Sequence, residues 1–118
     1  MIWSSTASRA SETALIFAQN ISYPIENIIF KSDLYTFDGH ELEKVIKSCS
    51  DLYDNVILFG HNEAITNFVN KFGDVFIENV PTSGFVSIKF DTENWESLSK
   101  GQTQKTIFPR QLKESKQT

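Results

Sequence analysis

A short apolar run, Val56–Phe59, ends abruptly in Gly60, His61 and Asn62, and a helical pattern follows. A continuous apolar run of this length is typical of a buried parallel strand. The end of such a strand opens into a crevice, and the start of the next helix offers free N–H groups to an anion. The run therefore predicts an α/β sheet with His61 at its ligand-binding edge, although a histidine that only caps the helix would give the same pattern.

The N-terminus has the same strand–turn–helix plan. Ile2–Ser4 is typical of a strand end, Ser5 is a suitable N-cap for the next helix, and Arg9 falls in its first turn. A guanidinium group at this point can hold two phosphate oxygens at once. Taken alone, Arg9 fits better as a solvated surface arginine beside Glu12. Together with His61 it predicts a phosphate site.

Strands and helices alternate along the rest of the chain. This order predicts a mainly parallel sheet with helices on both faces, followed by an antiparallel hairpin. We predict further strands at Asn27–Lys31 and Asn55–Phe59, and a hairpin of Phe85–Phe90 with Trp95–Ser99. A helix is predicted at Gly39–Ser48, with Asp38 as its cap. Another helix follows His61 and ends at Gly73, and its apolar stripe consists of Ile65, Phe68, Val69 and Phe72.

Composition narrows the class of protein. The 118 residues predict one domain over 1–112 and a disordered tail over 113–118. A net charge of −4 does not favour nucleic acid as a partner. The chain has no apolar run long enough for a membrane span. The single Cys49 cannot form an internal disulfide, which fits a reducing cytoplasm.

Other residues with possible chemistry give weaker signals. Two histidines and one cysteine without ligand spacing predict no metal, and the chain carries no glycine-rich cofactor loop. His40 is expected to be exposed and structural, and Cys49 has no nearby histidine to activate it. Glu63 complements the helix dipole but would repel a phosphate. Asp33 and Asp38 are candidates for a general acid by location only.

The segment Ser4–Ala14 resembles the second motif of the histidine phosphatase (phosphoglycerate mutase-like) superfamily, and Gly60–Glu63 resembles its Gly-His-Asn-Pro motif. Leu34-Tyr35, the helix that follows, and Pro81–Gly84 with the hairpin are similar to the short bacterial phosphohistidine phosphatases of the SixA type. The resemblance covers residues 2–112. It implies a three-layer α/β/α fold with a mixed sheet.

The resemblance also implies a mechanism. In the family, an Arg-His-Gly or Arg-His-Ala motif on the first strand supplies a nucleophilic histidine, which forms a phosphohistidine that water hydrolyses. A second arginine and a second histidine bind the phosphoryl oxygens and stabilise the charge of the transition state. These two roles match Arg9 and His61, with Ser5, Gly60 and Asn62 in support.

The nucleophile motif has no match, because the chain contains no Arg-His pair. The resemblance therefore implies a truncated member that lacks the family's first strand and first helix. That strand is central in the family sheet, between the strands that match Asn55–Phe59 and Phe85–Phe90. The strand that matches Ile2–Ser4 lies between those that match Asn27–Lys31 and Asn55–Phe59.

Loss of a central strand would leave two long unpaired edges. We expect either that the hairpin moves against Asn55–Phe59 or that a second copy of the chain fills the gap. Two functions stay open. The first is a phosphohistidine phosphatase-like domain that is inactive alone and binds phosphate or a phosphohistidine protein. The second is a non-catalytic pseudophosphatase or protein-interaction module.

Overall fold

One buried strand, β1 (Ile2–Ser5), organises the sheet in the computed structural model, which describes residues 1–81 and 84–108. It pairs in parallel with β2 (Ile29–Lys31) on one side and with β3 (Ile57–Phe59) on the other. All four residues of β1 are buried. Such burial is typical of a parallel strand that is covered on both faces.

Alternate residues of β1 contribute to two separate hydrophobic cores. Ile2 packs on one face with Ala18 of α1 (Ser8–Asn20). Trp3 packs on the other face with α2 (Gly39–Lys47) and α3 (Asn62–Phe72). Because successive strand residues point to opposite faces, helices cover both sides of the sheet, as the alternating pattern predicted. The described residues thus form an α/β domain.

The predicted ends of the second and third helices are confirmed. Asp38 is the N-cap of α2, and its carboxylate accepts a hydrogen bond of 2.9 Å from the backbone N–H of His40. Gly73 follows the last residue of α3. A Cβ added at Gly73 would lie 2.6 Å from the carbonyl oxygen of Val69, so this position has no room for a larger residue.

The prediction that Ser5 is the N-cap of the first helix is wrong. Ser5 pairs with Lys31 as the last residue of β1, and Ala7 occupies the cap position of α1 without a side-chain hydrogen bond. The Ser5 Oγ instead accepts a hydrogen bond of 3.2 Å from the backbone N–H of Ala7. The extra ladder pair with β2 therefore extends the strand and moves the helix start to Ser8.

Two strands are shorter than predicted. A 3-10 turn at Ile25–Asn27 replaces the expected start of β2, and β3 covers only Ile57–Phe59. The expectation that β3 is centrally buried is also wrong. Among the described residues β3 pairs only with β1, and each of its three residues is partly exposed. It is the edge of the three-stranded sheet.

The predicted hairpin has the wrong second strand. β4 (Phe85–Lys89) pairs in antiparallel fashion with β5 (Gln102–Ile107), not with Trp95–Ser99. Trp95 is held elsewhere, because its backbone N–H donates to Asp51 Oδ1 at 2.9 Å and its Nε1 donates to the Tyr53 carbonyl at 2.8 Å. These long-range bonds anchor the segment to the loop before β3.

The two-stranded ribbon of β4 and β5 is attached to α3. The Gly101 N–H donates to the carbonyl of Phe72, and Asp74 and Thr103 exchange two hydrogen bonds, of 2.8 and 3.3 Å. An apolar cluster that includes Val69 and Ile88 supports this attachment. The expectation that the hairpin moves against Asn55–Phe59 is wrong, since within the described chain β4 pairs only with β5. An open cleft separates the ribbon from β3.

Some expectations fall on residues that the structure does not describe. The predicted tail, 113–118, and the middle of the Pro81–Gly84 segment lie outside the described residues. None of the helices in the described ranges is long and apolar enough to span a membrane.

A buried carboxylate joins α2 to α3. Lys71 Nζ donates to Glu43 Oε1 at 2.5 Å, and Lys47 Nζ donates to Oε2 at 3.3 Å. The hydrogen bond from Lys71 lowers the pKa of Glu43 below its ordinary value of 4.5, burial opposes this shift, and Lys47 adds to it. The interaction thus favours the charged carboxylate.

We expect Glu43→Gln to reduce the free energy of unfolding by about 1 kcal/mol at pH 7, since Lys71 is largely exposed and solvent weakens the pair. A carboxyl group with a lowered folded-state pKa stabilises the fold above its ordinary value of 4.5 and loses this effect as the pH falls through the folded pKa. The difference between wild type and variant in urea unfolding should therefore shrink below that pH.

Glu41→Gln is the matched control, because Glu41 lies on the same helix and is exposed. It should leave the pH dependence of unfolding close to that of the wild type. An identical pH profile for the Glu43 and Glu41 variants would contradict the role of Glu43.

Candidate functional site

Arg9 and His61 lie at the same end of the sheet because each follows one of two neighbouring parallel strands. Arg9 is the second residue of α1, shortly after β1, and His61 is the N-cap residue of α3, two residues after β3. Both line one cleft of about 2100 Å³. The two residues that the sequence selected thus lie at the same end of the parallel sheet, where ligands of α/β folds bind.

Two aromatic rings hold the side chain of His61. The ring centroids of Tyr35 and Phe37 lie 4.9 and 4.3 Å from the centroid of the imidazole. The Nε2 atom of His61 is buried and makes no hydrogen bond within the described residues. A buried polar atom without a partner is costly, so a ligand oxygen or water that reached Nε2 would stabilise the imidazole. Trp3 Nε1 is the other buried nitrogen without a partner in the described chain.

The alternative that the His61 side chain caps α3 is wrong. His61 occupies the cap position with an extended backbone, but its side chain makes no capping hydrogen bond. The imidazole instead makes tilted contacts with its two aromatic neighbours, at interplanar angles of 58° and 36°. These contacts orient the ring without supplying a polar partner to Nε2.

Arg9 is exposed at the rim of the cleft. Across the described ranges its guanidinium makes no ion pair, and the expected pairing with Glu12 is not seen. The hydrogen bond of Thr13 at this turn goes to the backbone carbonyl of Arg9, at 2.9 Å. The positive charge is therefore uncompensated by a neighbouring carboxylate and available for an anion.

The three supporting residues have different positions. Gly60 and Asn62 line the cleft beside His61. Ser5 does not line it and is completely buried, where it fixes the turn between β1 and α1. A Cβ added at Gly60 would meet no atom closer than 3.8 Å, so packing of the described chain does not require glycine there.

Acidic groups are unevenly placed around the site. Glu63 lies on the first turn of α3 and lines the cleft, so its charge opposes an anion near His61. Asp33 and Asp38, the candidates for a general acid, do not line it. No group of three metal-ligating side chains occurs in the described part of the chain.

The remaining candidates lie away from the cleft lining. His40 is exposed on the first turn of α2. Cys49 is buried in the core, where burial raises the pKa of its thiol and the charge of Asp51 raises it further. A raised pKa disfavours the thiolate, which is the reactive form of cysteine.

Sequence reasoning missed Phe37 as a site residue and noted Tyr35 only in the family resemblance. Both aromatic side chains are exposed on one side and contact His61 on the other. Their signal in the sequence is the pair of aromatic residues two positions apart, just before the helix cap Asp38. That signal does not identify the partner, which lies more than twenty residues further along the chain.

The chain matches no protein-family model, no curated protein and no solved structure in the three comparisons. The resemblance to histidine phosphatases therefore depends on the motif residues quoted above. The arrangement at the cleft must be interpreted from its own chemistry.

We expect Gly60→Ala to change the free energy of unfolding by less than about 1 kcal/mol, because the new methyl group meets only ordinary contacts and no strained backbone. Gly39→Ala is the informative comparison. Its Cβ would lie 2.5 Å from the Cβ of Asn67 in α3, so we expect a loss of about 1–3 kcal/mol.

Urea unfolding of both variants checks this contrast. A Gly60 variant that loses as much stability as the Gly39 variant would show that the strand end is packed more tightly than the structure indicates.

Proposed function

We propose that this chain is a phosphohistidine phosphatase-like domain that binds a phosphoryl group through Arg9 and His61. The observation that carries the proposal is the presence of an unpaired guanidinium and a buried, unpartnered imidazole nitrogen on one cleft. Two donors of this kind suit the oxygens of a phosphate. The proposed ligand is inorganic phosphate or a phosphohistidine side chain of a cytoplasmic protein.

The order of the strands supports a phosphoglycerate mutase-like sheet. β1 lies between β2 and β3, all parallel, which is the order expected for the three matching strands of that family. The cleft lies between β3 and β4, where the family has its first strand. None of the described strands occupies that position, and the 118 residues contain no Arg-His pair that would supply the family's nucleophile.

The domain should bind phosphate without hydrolysing phosphohistidine. In the proposed mechanism Arg9 neutralises charge on the phosphoryl oxygens, and His61 stabilises the charge that develops in the transition state. A covalent route also needs a nucleophile. The second histidine of the chain, His40, lies away from the cleft lining and cannot replace one there.

A second candidate is a non-catalytic module that binds another protein. Glu63 favours it, because a carboxylate at the rim weakens binding of a small anion. The unpaired strand edges along the cleft favour it too. The two candidates differ in whether phosphate binds at Arg9 and His61.

We expect phosphate and vanadate to shift the imidazole resonances of His61 in a saturable way, measured by NMR titration. Arg9→Ala should weaken binding at least tenfold, since it removes a charge-assisted contact of about 1.5–3 kcal/mol. Arg9→Lys should recover part of the affinity for phosphate, because the positive charge remains but the bidentate hydrogen bonding of the guanidinium is lost.

Lys44→Ala is the matched control, because Lys44 is exposed on α2 and does not line the cleft. It should leave the titration unchanged. If the Arg9 and Lys44 variants weakened phosphate binding equally, binding would depend only on the net charge of the protein, and this would argue against a site at Arg9. Release of phosphate from a phosphohistidine substrate, with phosphate trapped on the chain, would contradict the proposed lack of hydrolysis.

A further inference from the structure

Two strands present free edges to the cleft. Consecutive residues of both, Asn55–His61 and Gly84–Phe90, line it. Successive side chains of a strand point to opposite faces of the sheet, so a cleft over one face would be lined by every second residue only. A cleft that is lined by every residue must therefore run along the edge of the strand. Within the described residues β3 uses its other edge for β1, and β4 uses its other edge for β5.

The backbone of β3 offers hydrogen-bonding groups to the cleft. The N–H of Ile57 donates to the carbonyl of Met1 at 2.9 Å, on the side of β1. Backbone groups of successive strand residues point to opposite edges, so the N–H and carbonyl of Leu58 point away from β1. Such unpaired groups are a template for another strand.

The two edges run in opposite directions. β3 runs from the loop at Tyr53 towards His61. The first half of β4 packs, through Val86, on the cluster that contains Val80, and the Val80 N–H donates to Thr66 in the first half of α3. Phe90, which directly follows β4, has its ring 6.2 Å from that of Phe72 at the end of α3. A strand placed between them would be parallel to one and antiparallel to the other. The longer edge is β4, and antiparallel pairing is the more stable per residue, so it should set the direction.

The lining of the cleft defines the side chains that it would accept. Its middle is apolar, with Leu58, Phe68 and Val86 among its walls. The end near the start of β3 carries three carboxylates, Asp51, Asp54 and Glu93, and one lysine, Lys89, so its charge is negative on balance. Asp54 and Glu93 are exposed and make no ion pair in the described chain. An apolar strand with basic residues at that end would match this distribution.

A folded copy of this chain cannot readily supply the strand. A strand that fills the cleft needs both of its edges free, and each of the five described strands already has at least one edge paired. The described strands of a second folded copy are therefore poor candidates for the occupant.

We propose that the cleft binds an extended segment of a partner protein as an additional β-strand. The strand lies antiparallel to β4 and parallel to β3, with an apolar centre and basic residues N-terminal to it, beside Asp54 and Glu93. Main-chain hydrogen bonds on two sides provide affinity, and the charged end provides direction. This proposal stands independently of phosphate binding.

The probe is a fluorescein-labelled synthetic peptide, Lys-Lys-Thr-Val-Thr-Ile-Val-Ser-Gly, which carries no phosphate. We expect saturable binding by fluorescence anisotropy, with NMR shifts of the amides of Leu58 and Val86. A peptide with Glu-Glu in place of Lys-Lys should bind at least fivefold more weakly. A peptide N-methylated at alternate residues should not bind, because it loses the donors on one edge.

The double variant Asp54→Lys/Glu93→Lys reverses the charge at this end of the cleft and is the counterpart of the Glu-Glu peptide. Both residues are exposed, so the amide spectrum should keep its dispersion. The preference should invert, with the Glu-Glu peptide now bound more tightly. A merely structural role of these carboxylates would not produce this inversion.

Three results would overturn the proposal. These are the absence of saturable binding, equal binding of the N-methylated peptide, and dimerisation of the chain that the peptide does not displace. The last result would assign the cleft to a second copy. None of them affects the phosphate titration of His61, so failure of this proposal is distinguishable from failure of the phosphate site.

Discussion

The structure depends on the complete burial of β1. Ile2 and Trp3 point to opposite faces of this strand, and each is a buried member of a different core. Burial of side chains of this size stabilises a fold by about 1.5–3 kcal/mol each. Because β1 pairs on both edges as well, it fixes the position of α1 on one face and of α2 and α3 on the other. The position of Arg9 and His61 at one end of the sheet follows from this arrangement.

Elements with a strong local signal were predictable from the sequence. The amphipathic stripe of α3 and its terminating Gly73, and the cap of α2 at Asp38, appear where the pattern indicated. The placement of Arg9 and His61 on one cleft was predictable for a similar reason. Parallel strands bring their carboxyl ends to the same edge, so two strand–turn–helix motifs suffice to bring the residues together.

Features decided by distant contacts were not predictable. Trp95 belongs to an apolar segment that looks like a strand, but Asp51 and Tyr53 provide hydrogen bonds that hold it in an irregular conformation. β5 is a polar sequence whose strand character comes from pairing with β4. The split of the sheet into two parts has the same origin, because local periodicity does not state which strand edges meet.

The attachment of the ribbon to α3 has a consequence for the way the domain opens. Among the described residues, the ribbon is joined to the rest of the fold by the hydrogen bonds around Phe72 and Asp74 and by apolar contacts of Val86, Ile88 and the adjoining Phe90 with two core clusters, and it shares no ladder with β1. Regions with few shared contacts open locally at a lower free energy than the whole domain. The position of the ribbon therefore follows α3 rather than β1, and a local opening of the ribbon would leave the hydrogen bonds of the three-stranded sheet in place.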